Sequence, residues 1–148
     1  MIPRRAALAL PLLYLARCAA PPRPPTLDLS VVAGADQNPD PNGQPTSVAL
    51  RLYQLTSDAA FLRADPFALI EREAATLGAD DLGSEEIVIA PGERRTVAHP
   101  LKPGSLVLGV VTLFRDIDHA TWRAVAPLGP RGPTRLVLTT AGQRVTLV

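Results

Sequence analysis

Val48-Ala49-Leu50-Arg51-Leu52-Tyr53-Gln54-Leu55 is the stretch from which the fold can be read. In an extended chain successive side chains point to opposite faces. Val48, Leu50 and Leu52 then share one face, and Arg51 and Tyr53 the other. The segment reads as a strand with one face in a core. Upstream, Leu27, Leu29 and Val31 alternate with Asp28, Ser30 and Val32 in the same period. Between the two strands, residues 33–46 are polar and turn-rich, Asp36-Gln37-Asn38-Pro39-Asp40-Pro41-Asn42-Gly43-Gln44-Pro45 included. Such a run predicts a long exposed loop, stiffened by its three prolines and so suited to presenting one shape to a partner.

Downstream the signals are again those of short strands. Glu85–Ala90 and Arg94–His99 flank Pro91-Gly92 and read as a hairpin. Lys102-Pro103-Gly104 marks another turn. Residues 105–114 are apolar without alternation (Leu106, Val107, Leu108, Val110, Val111, Leu113), as in a strand buried on both faces. Thr121–Ala126 reads as a strand, and Thr134–Thr139 pairs with Gln143–Val148 around Ala141-Gly142. One helix is expected. Asp65 caps it, Pro66 opens it, Phe67, Ile70, Ala74 and Leu77 form its apolar stripe, and Gly78 stops it. Glu71 and Glu73 lie off that stripe and read as solvated charges. About eight short strands and one helix predict a mainly β fold, a two-sheet β-sandwich with a short helical insertion.

Composition narrows the function. The 148 residues suit one domain, and with 4% aromatics the core must be aliphatic. Three of the 15 basic residues (Arg4, Arg5, Arg17) and none of the 14 acidic ones lie in the first 17 positions, leaving 12 basic against 14 acidic in the body. No basic run remains to bind nucleic acid. The sequence has two histidines and one cysteine, with no metal-ligand spacing. Nucleophile-elbow, phosphate-loop and dinucleotide motifs are missing as well. Asp116 and Asp118, beside His119, are expected to cap a turn. Neither an enzyme nor a cofactor is expected.

The N-terminus carries an export signal. Arg4-Arg5 precedes an apolar run from Ala6 to Ala16, about half the roughly 20 residues a membrane-spanning helix needs. The run ends at the lone cysteine, Cys18, which cannot form an internal disulfide and is similar to the acylated cysteine of bacterial lipoproteins. Arg17 stands where that class has a small residue. The alternatives are an incidental thiol, or cleavage after Ala20, which would put Pro21 just past the cut. Acyl chains on Cys18 would anchor the protein persistently. By the sorting pattern of that class, Ala19 in the next position implies the outer membrane. Pro21-Pro22-Arg23-Pro24-Pro25 favours an extended polyproline spacer. The expected organisation is a lipoprotein signal peptide over 1–17, a lipidated cysteine and Pro-rich tether over 18–25, and a β-sandwich domain over 26–148.

Several segments in order resemble the type VI secretion system lipoprotein family TssJ (VasD/SciN). They are Asn38-Pro39-Asp40 through Gly43-Gln44-Pro45, Val48–Leu55, Ser57–Phe61 and Asp65-Pro66-Phe67-Ala68-Leu69. Ala90-Pro91-Gly92-Glu93, Leu101–Gly104, Phe114-Arg115-Asp116 and Thr121-Trp122-Arg123 follow. The resemblance implies a transthyretin-like β-sandwich on an outer-membrane lipoprotein facing the periplasm. It further implies binding to the periplasmic domain of TssM, which works beside TssL, through the loop joining the first two strands. Asn38, Pro39, Asp40 and Gly43 match the family there and are the expected partner-binding residues. Trp122 and Arg123 are weaker candidates, since a tryptophan often simply fills a core. A periplasmic carrier or chaperone-like lipoprotein is the alternative function, and it would need a sizeable apolar pocket.

Overall fold

The computed structural model describes residues 18–148. The signal-peptide expectation for 1–17 lies outside the described residues. From Cys18 to Pro25 the chain has no regular structure and then enters β1 (Thr26–Ala33). β2 (Val48–Leu55) follows, then α1 (Ala59–Arg63), α2 (Pro66–Glu71) and α3 (Glu73–Leu77). The remaining strands are β3 (Asp81–Ile89), β4 (Arg94–Pro100), β5 (Val107–Thr112), β6 (Arg123–Pro127), β7 (Pro133–Ala141) and β8 (Arg144–Leu147). They form two four-stranded sheets, β4-β1-β7-β8 and β3-β2-β5-β6. Every pairing is antiparallel except β1 with β7. The expected mainly β sandwich is the observed architecture.

Register explains the core. Leu29 pairs with Val97 and Leu136, while Leu50 pairs with Ile87 and Thr112, so alternating aliphatic side chains of both sheets meet between the layers. Leu27, Leu29, Val31, Leu50, Ile89, Val110 and Leu138 are fully buried there. At about 25 cal/mol per Å² of apolar surface, this burial dominates the favourable side of folding. β5 is buried on both faces as expected, because the short helices cover the outside of its sheet. A second cluster of Tyr53, Leu55, Phe61, Leu69, Leu77 and Val111 fills that space. The Tyr53 hydroxyl donates to the Leu69 carbonyl at 3.0 Å, and burial pushes its phenol pKa up. Gly109 admits the Phe61 ring, since a Cβ there would lie 2.9 Å from it.

Two expectations are corrected. β3 and β4 are not a hairpin: β3 pairs with β2 in one sheet and β4 with β1 in the other. The Pro91-Gly92 turn is closed as expected, Glu93 N–H donating to Ala90 O, but it carries the chain from layer to layer. A turn motif fixes the reversal and leaves the partner strand open. The single helix expected between Asp65 and Gly78 is also split into two short ones, α2 and α3, and α1 precedes it as a third. Asp65 does cap α2, accepting from Ala68 N–H at 2.9 Å. At Arg72, however, the backbone leaves helical geometry (φ −132°, ψ 44°). The break rotates the buried face: Ala68, Leu69 and Leu77 are covered, whereas Phe67 is 59% exposed and Ala74 is exposed. Glu73, expected in solvent, accepts from the Ser84 hydroxyl at 2.8 Å and lies 3.6 Å from Arg51.

Candidate functional site: the loop rim of the sandwich

Because β1 runs away from the tether, the ends of the sandwich differ in content. One end holds the β1–β2 loop (34–47), the layer-crossing turn (90–93), the β5–β6 corner (113–122) and the β7–β8 turn (142–143). The other receives the tether. A strand of about eight residues separates them by roughly 26 Å.

The long loop is not wholly exposed, as the sequence suggested. Gln37 and Asn38 are 0% and 3% exposed. Gln37 Nε2 donates to the carbonyls of Ile89 (3.0 Å) and Thr46 (3.3 Å), and its Oε1 accepts from the Thr140 hydroxyl (2.5 Å). Asn38 Nδ2 donates to Thr46 Oγ1 and the Ser47 carbonyl, each at 2.9 Å, and its Oδ1 accepts from Arg115 N–H at 2.8 Å. Its own backbone N–H donates to Gly142 O at 2.8 Å. These two amides tie the loop to β3, β7, the corner and the β7–β8 turn, satisfying groups that water cannot reach. Asn38 sits at φ 48°, a left-handed conformation that asparagine tolerates better than most residues.

Beyond Asn38 the loop closes on itself and faces outward. Asp40 Oδ1 accepts from the N–H groups of Asn42 and Gln44, both at 2.9 Å. Asp40 N–H donates to Gln44 O at 2.8 Å, and Gly43 N–H to Asp40 O at 2.9 Å. Gly43 supplies the φ of 78° that this closure needs. Pro39 and Asp40 are half-buried, and residues 41–45 are exposed. Pro39, Asp40 and Pro41 line one wall of an open hollow of about 440 Å³, with Arg115, Asp116 and Gln143 opposite.

Of the four expected partner-binding residues, Pro39, Asp40 and Gly43 thus form the outward tip, while the Asn38 side chain is turned inward as its support. Gln37 and Gln143 were not singled out from sequence, and Arg115 entered only within the segment Phe114-Arg115-Asp116, with no binding role assigned. Gln37 sits in a polar run that reads as solvated, and Arg115 and Gln143 reach the hollow only through the fold. Trp122 and Arg123 lie elsewhere. Half-buried Trp122 packs against both apolar clusters, and the Arg123 guanidinium sits 4.6 Å above its ring. Arg123 also donates to the carbonyls of Phe61 and Ala64, each at 3.0 Å, fastening α1 to the sheet. At the corner His119 Nδ1 lies 2.8 Å from Asp116 Oδ1, and that hydrogen bond raises the imidazole pKa. Among the described residues no group of His, Cys, Asp and Glu could hold a metal ion, and no helix is long and apolar enough to cross a membrane. Cys18 is exposed, at the start of the irregular segment 18–25.

Comparison with known proteins adds the following. Residues 25–144 match the family model described as type VI secretion lipoprotein, VasD, EvfM, TssJ. The crystal structure of the lipoprotein TssJ1 from Pseudomonas aeruginosa is similar at 36% identity and TM-score 0.80, over 86% of this chain and 96% of that one. Serratia marcescens Lip, a membrane-bound component of the type VI secretion system, is similar at 25% identity and TM-score 0.75, over 84% and 96%. A chain solved with the description TssM C-terminal domain, from EAEC, is similar at 29% identity and TM-score 0.69, over 84% and 98%. No curated protein sequence matches significantly.

Proposed function

The chain belongs to the type VI secretion lipoprotein family, and from that premise we propose that it anchors the trans-envelope secretion complex at the outer membrane by binding the periplasmic domain of TssM. The docking element is the outward tip of the β1–β2 loop, with Pro39, Asp40 and Gly43 in contact and Asn38 behind them. The observation that carries this reading is the internal bracing of the loop by Gln37 and Asn38. A loop ordered before binding loses little conformational entropy on complex formation. The solved chain described with TssM supports the choice of partner.

The anchor is Cys18, acylated after removal of residues 1–17. From there the eight residues to Pro25 reach about 25 Å if extended as polyproline II. The tether enters at the far end from the loop, so the rim projects away from the point of attachment.

Two experiments test the reading. The mature chain should co-purify with the TssM periplasmic domain, and removing Pro41–Gln44 should weaken binding at least tenfold without lowering the urea midpoint appreciably. Undiminished binding by the shortened chain would reject the loop, and absence of binding by the intact chain would reject the anchor role. Separately, Cys18→Ser should move the protein out of the membrane fraction, and the mass of the mature N-terminus should show acyl chains on Cys18.

A further inference from the structure

We propose that the uncovered outer face of the β4-β1-β7-β8 sheet is a docking surface for an anionic bilayer, laid against lipid phosphates while the tether holds the domain close. This rests on membership of a lipoprotein family and is independent of which loop grips a protein partner.

The two outer faces of the sandwich differ. The β3-β2-β5-β6 sheet is covered by helices, and its Arg51 lies between Glu73 and Glu86. Among the described residues no helix lies over the other sheet. Its register places Arg94 beside Val32 and Arg135 beside Asp28, all pointing away from the core. Both arginines are exposed, and neither takes part in the ion pairs of the described residues. Ser30, Thr96, Thr139 and Thr146 surround them, and Val137 is 41% exposed among them.

The positive zone continues toward the membrane attachment. Gly132 N–H donates to Arg23 O at 3.4 Å, so the tether runs beside the turn that bears exposed Arg131. Arg94 and Arg135 thus lie on the face itself, Arg23 and Arg131 stand at the end of the sheet where residues 18–25 enter, and Asp28 is a carboxylate on the face. The body as a whole has more acids than bases, so the attraction is local and oriented. A guanidinium matches phosphate in a two-pronged hydrogen bond, and hydroxyl side chains add donors around it. A broad sheet face whose exposed groups are arginines and hydroxyls fits a plane of headgroups better than it fits a protruding apolar peptide. The tether's reach of about 25 Å makes that contact attainable.

The test uses the mature chain from residue 18 with Cys18→Ser, which keeps every strand and helix and lacks acyl chains. It is floated with vesicles of phosphatidylglycerol and phosphatidylcholine, and with phosphatidylcholine alone. Binding is expected to the first only, and to fall steeply with salt. R94Q/R131Q/R135Q should lower the partition coefficient roughly 100-fold, about fivefold per arginine. Asp28→Asn should raise it a few-fold. Equal binding to both vesicles, no binding to either, or indifference to the triple substitution overturns the proposal; the no-binding result would leave the face to a protein partner. The triple variant should still bind the TssM domain. Loss of vesicle binding with retained TssM binding would separate the two surfaces, whereas loss of both would assign the face to the protein interface and overturn the proposal.

Discussion

The two ends of the sandwich are ordered by different means. At the rim the long loop is held by side chains, Gln37 and Asn38, whose amides are desolvated and bonded to several segments at once. At the tether end the work falls mainly on the backbone. Thr26 N–H donates to Gly132 O at 2.9 Å, Leu101 N–H to Pro25 O at 3.0 Å, and Ser105 N–H to Lys102 O at 3.1 Å. The side-chain ties there are exposed or part-buried: Gln54 Oε1 accepts from Lys102 N–H and Ser105 Oγ at 2.8 and 3.0 Å, Thr134 Oγ1 accepts from Gly129 N–H at 2.7 Å, Thr56 Oγ1 donates to Asp80 Oδ1 at 2.8 Å, and Lys102 Nζ donates to Leu82 O. A backbone bond survives most substitutions; a buried amide does not. The rim therefore depends on buried amides in a way that the opposite end does not.

The sharpest way to break this contrast is Gln37→Ala. The change strands two carbonyls and a hydroxyl in a place without solvent. An unsatisfied buried group costs about 1–3 kcal/mol, so a total loss of about 3 kcal/mol is expected. Urea unfolding of the mature chain should show a lowered midpoint at unchanged slope. A loss below about 1 kcal/mol, within the range of ordinary side-chain hydrogen bonds, would remove the distinction between the ends.

Asn38 comes next and separates shape from stability. Asn38→Ala gives up the amide and puts at a positive φ a residue that tolerates it less well than asparagine. A loss of about 2 kcal/mol is expected from the broken bonds, with strain on top. Asn38→Gly loses the same bonds without the strain and should be about 1 kcal/mol milder. Both should weaken TssM binding to a similar degree, because both free the tip. If the glycine variant binds like the wild type, the bracing has no part in recognition. At the opposite end Gln54→Ala should cost about 1 kcal/mol or less and leave partner binding intact, since the backbone bonds around it persist.

What could be read from the sequence follows the same division. Period-two alternation identified β1 and β2, and the unbroken apolar run identified β5 as covered on both sides, because burial writes itself into hydrophobic pattern. The Asp65 cap was legible because its chemistry is local. The destination of β4 was not: Pro91-Gly92 reverses the chain equally well within a sheet or between sheets. The break at Arg72 was hidden too, since Phe67, Ile70, Ala74 and Leu77 fit a continuous helix and no Gly or Pro marks the interruption. At the rim, the loop tip could be read from its turn residues, but the inward role of Gln37 and Asn38 depends on Ile89, Arg115 and Thr140, which only the folded chain brings near.

The smallest expected effect lies on the rim's exposed side, at His119. It is solvent-accessible and bonded to Asp116, and that bond favours the charged imidazole. The folded-state pKa is raised, so the contribution to stability is complete at pH values below the unfolded imidazole's range and disappears as pH climbs past the folded value. Proton NMR of the His119 ring should give a midpoint above that of an unpaired histidine, and Asp116→Asn should bring it down. Because the pair is open to water, the accompanying change in unfolding midpoint should be slight compared with that of Gln37→Ala. A substantial stability change on losing Asp116 would mean that the corner, and not the buried amides, holds the rim in place.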